Sequence, residues 1–226
     1  MANLITIEQK ILKKNADIAD ENRRELERHG VLGVGLVSAP GSGKTSLLER
    51  TLGALRSEVR AAVIEGDVQT DRDAQRISAL DVPAVQIVTN GTCHLEARMV
   101  QEAMPRIDLG ALDLLFIENV GNLVCPASYA LGEHLRVVLM SVTEGEDKPL
   151  KYPAMFRRAG ALVLNKTDLL PHLDYDLEGA RRLALQVNPD LTIFETSCRT
   201  GEGVPEWSRF LIERLRSFRA SRSSPS

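Results

Sequence analysis

Eight consecutive residues, Ser38-Ala39-Pro40-Gly41-Ser42-Gly43-Lys44-Thr45, have the types that binding phosphate requires. Small residues let backbone N–H groups curl around phosphate oxygens, and a helix opening directly afterwards adds the partial positive charge of its N-terminus. In such a loop the lysine, here Lys44, is expected to reach the β and γ phosphates, and the Thr45 hydroxyl to bind Mg²⁺. Gly41, Ser42, Gly43, Lys44, Thr45 and Ser46 are therefore the expected phosphate-side residues. The first position, usually glycine, is Ser38. The remaining Gly-x-Gly-Lys-Thr keeps its strand–loop–helix context, which is what gives the motif its meaning.

Asn165-Lys166-Thr167-Asp168 ends a later apolar run. The Asp168 carboxylate can accept from the N1 and 2-amino hydrogens of guanine. Adenine lacks that donor pair, and a buried group that loses its partner costs roughly 1–3 kcal/mol. Asn165, Lys166 and Asp168 thus point to GTP and GDP. The turn Ser197-Cys198-Arg199-Thr200-Gly201 looks like a second loop around the base, with Ser197 as its contact, while Cys198 reads as a small residue filling the turn.

Two acids stand at predicted strand tips. Glu118 opens Glu118-Asn119-Val120-Gly121, where Gly121 N–H would meet a γ-phosphate and Glu118 would hold Mg²⁺. Asp67 closes Glu65-Gly66-Asp67 and could hold Mg²⁺ or orient the attacking water, with Asp71 and Asp73 as rivals. Lys44, Asp67 and Glu118 are the expected catalytic groups, and Thr45, Asp67 and Glu118 the expected magnesium set. No glutamine is placed to position water and no arginine finger is evident, so turnover should be slow, as in unassisted switch GTPases.

Cys93 and His94 are adjacent, and Cys125 follows Glu118 by seven residues. Two thiolates and an imidazole suit Zn²⁺ or Ni²⁺ better than Mg²⁺. Three protein ligands leave a position open, which favours release over permanent storage, or call for a ligand from a second chain. The alternative is that the cysteines are ordinary core side chains. Seven residues span at most ~25 Å. One short segment would therefore carry a γ-phosphate sensor at one end and a metal thiolate at the other.

These side chains need a scaffold that brings distant loops to one edge. The pattern supplies it. Apolar runs near 32–38, 61–66, 84–88, 112–118, 136–142, 161–165 and 191–194 alternate with helical segments near 44–56, 70–80, 94–104, 151–158, 175–187 and 205–218. Runs apolar on both faces demand a mostly parallel sheet covered by helices, an α/β fold of about seven strands. Residues 5–29 form a charged amphipathic helix stopped by Gly30. The layout is an N-terminal helix over 1–30, a G domain over 31–216 and a disordered tail over 217–226. The chain has 226 residues with 28 Lys plus Arg against 31 Asp plus Glu, which removes the electrostatic case for a nucleic-acid binder. No apolar run approaches the ~20 residues of a membrane span, and no secretory signal is visible. Three cysteines are too few for a disulfide framework and fit a reducing cytoplasm.

Taken together, Ser38–Ser46, Glu65–Asp67, Gly91-Thr-Cys-His-Leu95, Glu118-Asn-Val-Gly-Asn-Leu-Val-Cys-Pro126, Ser141–Pro149, Asn165–Asp168 and Gly201–Gly203 resemble the hydrogenase nickel-incorporation GTPases, the HypB family. The block 118–126 is the most specific. The resemblance implies a P-loop NTPase of SIMIBI-like type that forms a homodimer when GTP is bound. It implies Zn²⁺ or Ni²⁺ at Cys93, His94 and Cys125 near the dimer interface. It also implies a nickel-binding accessory protein and the [NiFe]-hydrogenase large subunit as partners, with Glu144–Lys148 near the nucleotide and Lys148 reaching across the dimer. Residues 1–28 hold no cysteine and the first histidine is His29, so N-terminal nickel storage is not expected. Three other readings compete. A urease-type accessory GTPase would carry a Cys-Pro-His motif, and here no proline separates Cys93 from His94. A small-molecule kinase would not need Asn165 and Asp168. A regulatory GTP switch would use the cysteines and histidine for structural zinc only.

Overall fold

Residues 32–38, 114–118, 135–141 and 161–165 are buried at every position, and they are the four central strands of one parallel sheet. The strands are β1 (Leu32–Ser38), β2 (Ala61–Asp67), β3 (Ala84–Val88), β4 (Leu114–Glu118), β5 (Leu135–Ser141), β6 (Ala161–Asn165) and β7 (Thr192–Thr196). Their spatial order is β3-β2-β4-β1-β5-β6-β7. The computed structural model describes residues 7–67, 76–77 and 79–223.

Burial on both faces explains the unbroken apolar runs. The helices are α1 (Ile7–His29), α2 (Lys44–Leu55), α3 (Ala97–Ala103), α4 (Lys148–Lys151), α5 (Pro153–Arg157), α6 (Leu177–Val187) and α7 (Val204–Ser223). Leu47 and Leu52 of α2 pack with Trp207 and Leu211 of α7 in one core, and the Trp207 Nε1–H donates to Thr51 Oγ1 at 3.0 Å. Leu26 of α1 packs with Leu95, Val100 and Met104 in a second core. Phe156 of α5 and Ala184 of α6 contribute to a third. Among the described residues no helix is long and apolar enough to cross a membrane.

Helix α1 ends where the sequence indicates: Gly30 takes φ +69°, a left-handed conformation that glycine adopts without strain. The helix is tied to the core by amides. Asn22 Nδ2 donates to Ala97 O (2.7 Å) and Leu131 O (2.9 Å), and Asn15 Oδ1 accepts from Ala97 N (2.8 Å).

The described elements differ from the sequence reading in three places. The helix expected over 94–104 starts at Ala97, because residues up to Glu96 form a loop. The helix expected over 151–158 is two short ones meeting at Tyr152, since Pro153 cannot continue the first. The tail expected to be disordered from 217 continues as helix α7 to Ser223. Phe218 and Arg219 hold it: Phe218 packs against the core and the His134 ring (centroids 4.7 Å), and Arg219 pairs with the Asp113 carboxylate at 2.5 Å. Most of the helix expected over 70–80 lies outside the described residues.

The parallel order sets the C-terminal ends of β1, β2, β3 and β4 on one edge. In register, Glu118 of β4 stands level with Leu36 of β1 and Glu65 of β2. Open α/β sheets bind ligands at that edge.

Candidate functional site

The loop after β1 turns on two glycines in the left-handed region, Gly41 (φ +75°) and Gly43 (φ +98°). A side chain at Gly43 would place its Cβ 2.6 Å from Asn165 Nδ2, so the base-side motif and the phosphate loop touch. Lys44 Nζ donates to Ser38 Oγ at 3.0 Å, which gives the serine at the usual glycine position a defined partner. Asn165 Nδ2 donates to Ser42 O (3.0 Å) and Lys166 Nζ to Gly41 O (2.8 Å). Lys166 itself sits at φ +65°, an uncommon conformation for a residue with a side chain. Ser42 Oγ is shared by Ala39 O and the Glu144 carboxylate, and Glu144 pairs with Lys148. Glu144 and Lys148 therefore lie against the phosphate loop.

The Thr45 hydroxyl donates to Glu118 Oε1 at 3.0 Å, joining the start of α2 to the tip of β4. Glu118 is 4% exposed. A hydroxyl and a carboxylate at this spacing offer hard oxygen donors of the kind Mg²⁺ prefers. Gly121 lies against the phosphate loop: a Cβ there would meet Pro40 Cα at 3.0 Å and Pro40 N at 3.1 Å. Asp67 ends β2 level with Val88, and its carbonyl accepts from Thr89 N at 2.9 Å. Asp71 and Asp73 lie outside the described residues.

Around the base side, Asp168 Oδ1 accepts from Ser197 Oγ at 2.6 Å, and Asn165 Oδ1 accepts from Thr196 Oγ1 at 3.2 Å and Cys198 N at 3.3 Å. A cavity of about 610 Å³ opens here, lined by Gly43, Ser46, Asn165, Lys166, Asp168 and Cys198 among others. Burial raises the Cys198 thiol to about 11, so it is a neutral wall of this pocket at physiological pH. A larger groove of about 980 Å³ runs between α1 and residues 104–110 and contains none of the expected site residues.

Cys93, His94 and Cys125 converge, with one ligand atom of each within 4.8 Å of the others. Cys93 Sγ is 2.9 Å from Cys125 Sγ and 3.7 Å from His94 Nδ1. The sulfurs are too far apart for a disulfide, whose bond is about 2.05 Å. The Cys93 thiol is held above its ordinary value, chiefly by its hydrogen bond to Cys125. Burial pushes His94 down against the opposing pull of Glu96, which favours the neutral, ligating imidazole. The Tyr129 ring stands 4.1 Å from the His94 ring. A soft divalent ion fits this donor set.

Three residues around the cluster escape motif reading. Asn119, Asn122 and Tyr129 make their contacts across 24, 29 and 35 positions of sequence, so the motif alone assigns them no role. The repeated asparagines of 118–126 were the available hint.

This fold and phosphate loop define a P-loop nucleotide-binding protein, here with a thiol–imidazole cluster beside the nucleotide edge. The family described as "CobW/HypB/UreG, nucleotide-binding domain" matches residues 33–195. Hydrogenase maturation factor HypB of Azotobacter vinelandii is 56% identical over 218 residues, covering 96% of this chain and 72% of that protein. The crystal structure of HypB from Helicobacter pylori in complex with nickel has a TM-score of 0.86 at 38% identity, covering 90% of this chain and 96% of that one. The crystal structure of hydrogenase maturation factor HypB from Archaeoglobus fulgidus has a TM-score of 0.84 at 39% identity, covering 90% and 99%. The chain belongs to the CobW/HypB/UreG family, in its HypB branch.

Proposed function

We propose that this chain binds and slowly hydrolyses GTP and couples the hydrolysis to nickel delivery during [NiFe]-hydrogenase maturation. The observation that carries the reading is the segment 118–126. Its first residue meets Thr45 at the phosphate loop, and Cys125 near its end meets Cys93 in the thiol–imidazole cluster.

Guanine is selected by Asp168, with Asn165, Lys166 and Ser197 shaping the pocket. Gly41, Ser42, Gly43, Lys44, Thr45 and Ser46 hold the phosphates, and Gly121 N–H reads the γ-phosphate. Mg²⁺, held by Thr45 and Glu118, would neutralise charge on the β and γ oxygens. Lys44 stabilises charge developing on the transferred phosphoryl group, and Asp67 either completes the magnesium set or orients the attacking water. GTP and water become GDP and phosphate. With no finger arginine assigned, the unassisted rate is on the order of 10⁻³ s⁻¹. Losing the γ-phosphate frees the 120–121 turn and with it Cys125. The nickel cargo held by Cys93, His94 and Cys125 is then bound less tightly. Zn²⁺ suits the same ligands and is the competing occupant.

The three-ligand site and the family relationship also support a homodimer favoured by GTP, working in the cytoplasm with a nickel-binding accessory protein and the hydrogenase large subunit. Sedimentation should show a larger species with a non-hydrolysable GTP analogue than with GDP. The function itself is tested by loading the chain with Ni²⁺, adding a chromophoric chelator, and following nickel transfer after GTP or the analogue. Transfer should track phosphate release. Equal transfer rates with both nucleotides would contradict the reading.

A further inference from the structure

Asn119 directly follows Glu118 and is 2% exposed. Its N–H donates to Leu36 O at 3.0 Å, on the strand that runs into the phosphate loop. Its Oδ1 accepts two backbone N–H groups, those of Val120 (2.9 Å) and Leu95 (2.9 Å). A carbonyl oxygen has two lone pairs, and both are used here. Val120 precedes Gly121, which abuts Pro40 of the phosphate loop. Leu95 follows His94. One buried oxygen atom is therefore shared between the turn that faces the nucleotide and the loop that carries two of the three cluster residues.

The geometry points to Asn119 as the positioning residue through which the nucleotide pocket sets the shape of the Cys93–His94–Cys125 cluster. This rests on the reading that nucleotide state changes the hold on nickel. The covalent path through 120–125 moves only Cys125. Asn119 supplies the other half. When the Val120 peptide rotates on contact with a γ-phosphate, its acceptor must follow or give up one of its two N–H partners. Either response shifts the Leu95 peptide, and His94 beside it, relative to Cys125. A buried N–H that loses its acceptor is left unpaired, so a shift at one of the two bonds is felt at the other. Asn122 makes a weaker second tie, with Nδ2 donating to Cys93 O at 3.3 Å and Oδ1 accepting from Val124 N at 2.8 Å.

The test compares Ni²⁺ affinity, by chelator competition, in GDP and GTP-analogue states of the full chain. The wild type should bind about tenfold or more tightly in the analogue state, within the usual range of coupling between sites. In Asn119→Ala that ratio should collapse to below about twofold while each state still binds nickel, and in Asn119→Asp, which keeps the acceptor oxygen, much of it should return. A merely structural asparagine would lower thermal stability in Asn119→Ala and leave the ratio intact, and an intact ratio overturns the proposal. A wild-type ratio of one would instead overturn the coupling reading on which it rests. Hydrogen exchange at the Leu95 amide needs no variant. It should differ by about tenfold or more between the two nucleotide states, and equal exchange beside a wild-type affinity difference rules Asn119 out as the link.

Discussion

Cys93 Sγ and Cys125 Sγ lie 2.9 Å apart although 32 residues separate them in the chain. They arrive from different directions, one from the loop after β3 and the other from the segment after β4. Only the parallel order of the sheet makes these neighbours, because β2 and β4 pair directly and β3 lies beyond β2.

Replacing either sulfur should therefore disable the cluster and spare the fold. Cys93 is exposed and Cys125 half-buried, so neither change opens a core cavity. Cys93→Ala and Cys125→Ala are each expected to lower Ni²⁺ affinity ~100-fold or more, since removing even an outer-shell partner costs 10–100-fold. Thermal unfolding should move by no more than about 0.5 kcal/mol. Wild-type affinity in either variant would remove that cysteine from the ligand set.

Glu118 accepts from Thr45 at the phosphate loop, and Glu118→Gln keeps its shape while removing its charge. Single-turnover GTP hydrolysis is expected to fall about 10²-fold, the scale of losing one preorganised electrostatic contact. GDP binding without Mg²⁺ should stay near wild type. Unchanged hydrolysis would remove the magnesium role.

Asp168 is oriented by Ser197 at 2.6 Å, which fixes one carboxylate oxygen and leaves the other for a base. Asp168→Asn should weaken GTP by roughly 1–3 kcal/mol and leave weak ATP binding unaltered. Displacement of a fluorescent nucleotide measures both. Unaltered preference for GTP would exclude Asp168 as the selector.

Acid should destabilise the fold through His134. Its Nδ1 accepts from Gly33 N at 3.0 Å, a bond only the neutral form of that nitrogen can make. Burial first, and Arg23 second, push this histidine down to about 4. The folded value lies below the unfolded value of ~6.5, so the unfolded chain binds the extra proton between them. The stability is whole above about pH 6.5 and is lost progressively as pH falls toward 4, by up to roughly 3 kcal/mol. Denaturant titrations from pH 7 to 4 should show that slope, and His134→Gln should flatten it. Asp113, held well below the carboxylate range chiefly by Arg60, contributes a separate loss at still lower pH. A slope unchanged in His134→Gln would assign the loss to other groups.

The sheet was legible because burial on both faces leaves a direct mark on sequence: 32–38 and 161–165 are apolar runs and strands of the same extent. Lys44 and Asp168 stand out because a phosphate loop and a base pocket need fixed spacing along one stretch. The end of α7 was not legible. Ser, Arg and Ala residues beyond 217 look like a tail, and what keeps them helical is Phe218 against His134 and Arg219 against Asp113, residues that stand just before β5 and β4 and far away in the chain. Asn119 was hidden for the same reason. An asparagine after a strand reads as a turn residue, and its value lies in an N–H donor 24 residues away.

The proposed coupling runs through one segment, 118–126, between the nucleotide and the cluster. Equilibrium dialysis of Ni²⁺ against the chain, saturated first with GDP and then with a non-hydrolysable GTP analogue, tests it most directly. Binding should be about tenfold or more tighter with the analogue, and that difference should be lost in Cys125→Ala. The same dissociation constant in both states would contradict it.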